Sequence, residues 1–142
     1  MRKYLCCSLI ALACLSTSNV AVANKGCGIT RVSLNNLNLR YQSDNMAATS
    51  IEVECNRQFN IVFKARNLLN KNGDSNLINA NGKKISTSMN ISGATKSEWN
   101  TPLTPLDPYK QKFVVRVVVN ERPNYIIPAG EYRDQLSVDV QF

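Results

Sequence analysis

Apolar and polar residues alternate with period two along much of the chain, and no stretch carries the stripe of a helix. Leu37, Leu39 and Tyr41 alternate in a first strand expected to begin near Ile29. Ile51, Val53 and Cys55 follow, with Glu52 and Glu54 on the opposite face. Phe59, Ile61, Phe63 and Ala65 form a third set, and Ile85, Thr87, Met89 and Ile91 a fourth. Phe113, Val115, Val117 and Val119 form a fifth, which Val114 and Val118 make apolar on both faces. Leu136, Val138, Val140 and Phe142 form the last, with Ser137, Asp139 and Gln141 facing away. Successive side chains of a strand point to opposite faces, so each set predicts a strand with one face turned to a core.

Turn chemistry separates these runs. Asn72-Gly73-Asp74 and Asn81-Gly82 are turn signals, the second suited to a hairpin. Pro102, Pro105 and Pro108 make Thr101–Tyr109 an extended connection outside any ladder, because proline has no N–H to donate. Pro128-Ala129-Gly130 is a turn feeding the final strand. Short alternating strands with such punctuation read as an all-β sandwich of one domain. The final alternating run leaves two possibilities: a central strand of a complete sandwich, or an open apolar edge that pairs with another chain.

The beginning of the chain reads differently. Arg2 and Lys3 precede an uncharged apolar run from Tyr4 to Leu15, and Ala21-Val22-Ala23 has the small-x-small form of a cleavage site. Residues 1–23 are therefore expected to be a secretory signal peptide, leaving a domain at 24–142. Ala11-Leu12-Ala13-Cys14 is an alternative, a poor lipobox. No other apolar run is long enough to be a transmembrane segment. Three of the five cysteines, Cys6, Cys7 and Cys14, lie in the leader. The pair left in an exported chain, Cys27 and Cys55, is most simply a disulfide. A two-cysteine metal site is the alternative, but the sequence has no histidine to complete it, so no metal or other cofactor is expected.

The formal charge is +7 and falls by two with the leader. A moderate positive charge favours anionic surfaces. The basic residues are scattered and do not interleave with aromatics, so no nucleic acid partner is expected. Without histidine, neither a Ser–His–Asp triad nor a Cys–His pair can form. Glu52 and Glu54 could make a carboxylate pair, but as alternate residues of one strand they read as a solvated face. Asp74, with its Asn and Gly neighbours, reads as a turn and not a calcium loop. Trp99, Tyr109 and Tyr125 could line a sugar or peptide site, or simply anchor loops and core. No catalytic residue is expected, and the chain reads as a non-enzyme.

Several segments resemble fimbrial subunits of the spore coat protein U-like group, the pilins of the archaic chaperone–usher pathway. Ser50-Ile51-Glu52-Val53-Glu54-Cys55 is similar to the strand bearing that group's second cysteine, and Cys27 sits where its first does. The ending from Pro128 to Phe142 resembles its terminal motif: Gly130, Tyr132, Asp134 and an alternating strand closed by an aromatic residue. Trp99 falls where that group carries a tryptophan after its middle hairpin. The resemblance implies an immunoglobulin-type sandwich lacking its seventh strand. It implies partners as well: a periplasmic chaperone, an outer-membrane usher and neighbouring subunits, each engaged by strand addition. It implies adhesion or biofilm formation at the cell surface, and Leu136, Val138, Val140 and Phe142 as the strand-docking residues. One departure stands out. Cleavage after Ala23 leaves only Asn24, Lys25 and Gly26 before Cys27, too few for a donor strand. That points to a terminal, strand-accepting subunit; a secreted spore-coat-like protein or a ligand-binding adhesin of the same fold are the alternatives.

Overall fold

The computed structural model describes residues 26–40, 45–120 and 127–142. The expected signal peptide, the Cys14 lipobox, Tyr41 and Tyr125 lie outside the described residues.

Among the described residues seven strands form: β1 (Gly28–Val32), β2 (Met46–Glu54), β3 (Asn60–Ala65), β4 (Asp74–Ile78), β5 (Lys84–Ser92), β6 (Lys110–Val119) and β7 (Leu136–Gln141). All pairings are antiparallel. A five-stranded sheet has the order β1-β2-β6-β5-β4, and a two-stranded sheet pairs β3 with β7. The described residues include no helix, so the chain is all-β with two sheets, as the alternation implied.

Period-two patterning sets which face turns inward. Ile51 and Val53 of β2, Ile85, Met89 and Ile91 of β5, and Phe113, Val115, Val117 and Val119 of β6 are buried. Facing them, Ile61 and Phe63 of β3 close the core with Phe59, Trp99 and Leu103. The aromatic rings meet edge to face: Phe63 lies 5.6 Å from Phe113 and 6.1 Å from Trp99, and Phe59 lies 6.4 Å from Phe113. This arrangement brings positive ring edges onto negative ring faces and adds to the burial energy.

Cys27 and Cys55 form the expected disulfide. Gly28 pairs with Glu54, so the two cysteines sit opposite each other one step beyond the ladder. The bridge joins neighbouring strands of one sheet.

Three expectations are corrected. The first strand does not run from Ile29 to Tyr41; β1 ends at Val32, and Leu37 and Leu39 lie beyond it, half-buried against the core. β4, which has no apolar alternation, was not foreseen. The inward position of β4 is Ser75, completely buried and donating to Asp134 Oδ2 at 2.7 Å. Finally, Thr101–Tyr109 is not wholly free of pairing. Ile61 N–H donates to Leu103 O at 3.0 Å and Leu103 N–H returns to Ile61 O at 2.8 Å, with Leu103 fully buried. The Asn81-Gly82 hairpin does form between β4 and β5, with Gly82 at φ 78° and the Asn79 side chain accepting from the N–H groups of Asn81 and Lys83.

Candidate functional site

The edges of the two sheets differ in how they are closed. The β3 edge away from β7 is covered by the Leu103 bridge and by Asn100, whose N–H donates to Phe63 O at 2.7 Å. Asn100 reaches that position with φ 56°, a left-handed conformation asparagine tolerates better than most residues. The edge strand β4 is capped at both ends: Leu69 N–H donates to Asp74 O, and Ile78 exchanges two 3.0 Å hydrogen bonds with Arg133. β7 is hydrogen-bonded to β3 alone among the described residues.

Alongside β7 the sandwich opens into a groove of about 1150 Å³. Its floor is the inner face of the five-stranded sheet, with Ile51, Met89, Val115 and Val117 among the lining side chains. One wall is Gly130–Val138, and the other is the segment after β1, from Leu34 to Arg40. The charged groups lining it are Arg40, Glu131, Arg133 and Asp134, none of them on the floor strands. Glu131 and Arg133 pair with each other at 2.8 Å.

Hydrogen bonds fix the start of the β7 wall. Asp134 Oδ2 accepts from Ser75 Oγ at 2.7 Å, and its Oδ1 accepts from the N–H of Asn67 at 3.0 Å and of Gln135 at 2.8 Å. Asn67 Nδ2 donates in turn to Asn76 O and Arg133 O. Tyr132 Oη donates to Pro128 O at 2.8 Å, closing the turn before the strand. Thus Tyr132 and Asp134 of the terminal motif act on the backbone around β7. Asp134 was named in the sequence only as part of that motif, and Ser75 and Asn67 were not foreseen at all.

The four residues expected to dock a strand are not equivalent. Leu136 and Val138 line the groove, and Val140 packs on the core without lining it. Phe142 shares their parity but falls after the last β7 residue and is 66% exposed, with the Arg57 guanidinium 5.5 Å above its ring. It is not part of the inward row.

The other candidates resolve as follows. Trp99 is completely buried, its N–H donating to Lys71 O at 2.8 Å, so it belongs to the core and not to an exposed sugar site. Its indole Nε1 has no hydrogen-bond partner among the described residues. Tyr109 is exposed. Glu54 pairs with Lys110 at 2.6 Å on the outer face, and that carboxylate raises the Lys110 pKa. Asn70 organises the turn around Asp74, its Nδ2 donating to Asp74 Oδ2 at 2.7 Å. Lys96 lowers the Glu98 pKa, and the N–H groups of Tyr109 and Lys110 lower that of Asp107. These shifted groups all lie outside the groove lining. No cluster of three potential metal ligands occurs among the described residues.

Comparison with protein-family models gave no match, and comparison with curated proteins gave none. Among solved structures, the chain is similar in fold to a chain of the crystal structure of the CsuC–CsuE chaperone–tip adhesion subunit pre-assembly complex from archaic chaperone-usher Csu pili of Acinetobacter baumannii. The TM-score is 0.51 at 17% identity, and the match covers 82% of this chain and 40% of that one. This chain thus spans well under half the length of the chain it matches.

Proposed function

We propose that the protein is a fimbrial subunit of the chaperone–usher type that accepts a β-strand along β7. The observation carrying this reading is the one-sided pairing of β7 beside a groove with a largely apolar floor. An extended segment laid there takes main-chain hydrogen bonds from the free edge and buries alternate side chains against Leu136, Val138 and the floor. Similarity in fold to a chain of a chaperone–subunit complex supports the same reading.

In this reading the partners are a periplasmic chaperone, an outer-membrane usher and neighbouring subunits. The chain is exported by a signal peptide cleaved after Ala23, is displayed at the cell surface and serves adhesion or biofilm formation. The resemblance of its terminal motif to that of the spore coat protein U-like group supports this reading. A place as a terminal subunit rests on that cleavage. No step of this function is chemical catalysis.

The test is periplasmic expression with and without a cognate chaperone of the chaperone–usher type. Co-expression gives a soluble complex, and expression alone gives degraded or aggregated protein. A soluble, cooperatively folding monomer of high melting temperature, obtained without any chaperone, overturns the proposal.

A further inference from the structure

The groove wall from Leu34 to Arg40 has an unusual combination of burial and bonding. Its start is clasped to β2. Ser33 N–H donates to Ser50 O at 2.9 Å, Thr49 Oγ1 donates to Leu34 O at 2.8 Å, and Ser50 N–H donates to Ser33 Oγ at 2.8 Å. Its far end is tied where Arg40 N–H donates to Asn45 Oδ1 at 2.8 Å. Between these ties, residues 35–39 make no backbone hydrogen bond among the described residues. Leu37 and Leu39 nevertheless pack on the core, while Asn35, Asn36, Asn38 and Arg40 are exposed.

A segment held by two side chains and no ladder opens at low cost, because few contacts must break together. We propose that Leu34–Arg40 is a hinged strap: its leucines shield the groove of the unoccupied chain, and it swings outward as a strand docks, staying tied at Thr49 and Asn45. This rests on the strand-docking reading of the groove. The strap hides apolar surface that would otherwise face water beside an unpaired edge. It also sets a barrier that a docking strand must cross.

The test uses the full chain, refolded by dilution with its disulfide intact, and two probes. The first is the apolar dye anilinonaphthalene sulfonate; the second is a synthetic peptide of alternating valine and threonine, as long as β6. The double variant Leu37→Ser/Leu39→Ser is expected to raise dye fluorescence. Freeing two half-buried leucines should speed peptide association by about tenfold. Thr49→Val removes the tie between Thr49 and Leu34, keeps both leucines and should shift the association rate in the same direction. Unchanged dye fluorescence in the double variant, or slower peptide association in either variant, overturns the strap and makes the segment a fixed wall. Raised dye fluorescence with no peptide binding to any of the three proteins upholds the strap as a cover and sinks the strand-docking reading instead.

Discussion

Phe63 and Val138 stand opposite each other across the β3–β7 pair, yet Phe63 is 1% exposed and Val138 only half-buried. The difference comes from what lies beyond each strand. The Leu103 bridge seals the far side of β3, whereas the groove lies beside β7. Val138→Asp sets an unpaired carboxylate on that wall, where burial by an incoming strand is costly. Chaperone capture in a pull-down should be lost. Asp139→Asn, on the outer face, removes only the exposed ion pair with Lys64, worth at most about 1 kcal/mol, and should leave capture intact. Equal capture of the Val138→Asp protein would mean that β7 is not the docking element.

Asp134 is expected to matter more than its partly exposed position suggests. Asp134→Ala strands the fully buried Ser75 hydroxyl and the Asn67 N–H, a loss of about 2–4 kcal/mol by denaturant titration. Asp134→Asn keeps an acceptor oxygen and should recover part of it.

Gly73 holds φ 100°, and a Cβ there would run into Met89 O and come within 2.9 Å of Trp99 Nε1. Gly73→Ala should therefore cost more than the roughly 1 kcal/mol of an ordinary glycine replacement. Trp99 fluorescence reports the displacement, and an unchanged spectrum at unchanged stability would contradict the close packing.

The cysteine pair closes a loop of sequence separation 28. Cys27→Ser should cost about 3–4 kcal/mol. Intact-mass measurement without reduction should find no free thiol at Cys27 or Cys55.

Acid should weaken the fold through Asp107 and Glu98. Both carboxyls titrate below their ordinary values, 3.8 for Asp107 and 4.5 for Glu98, so their contribution is complete above those values. It is lost as pH falls through their lower folded-state values. At the alkaline end Lys110, raised above 10.5, contributes below that value and loses its contribution as pH climbs through its folded-state pKa. Thermal unfolding followed against pH should show Asp107→Asn flattening the acid limb and leaving the alkaline limb unchanged.

Alternation made β2, β3, β5, β6 and β7 legible, because in each the positions turned toward the core are mostly apolar and recur every second residue. It failed where burial and pairing part company. Leu37 and Leu39 alternate because they reach the core, but their backbone joins no ladder, and the pattern reports burial only. The reverse holds at β4, where the fully buried side chain is a serine satisfied by a carboxylate 59 residues away, a partnership no local window contains. Phe142 kept the parity of β7 and missed its burial because the ladder stops one residue earlier. The groove was legible only through the alternating apolar row of the last strand; its second wall, the Leu34–Arg40 segment, was hidden inside an overextended first strand.

The position of the disulfide has a mechanical consequence. Tension entering the chain just ahead of Cys27 crosses the sulfur–sulfur bond to Cys55 and continues toward β3, short-circuiting everything between the two cysteines. β1, β2 and the strap then lie in a covalent bypass that bears no direct load. Force reaches the β3–β7 pair first, and that sheet would stretch while the segment between the two cysteines stayed slack.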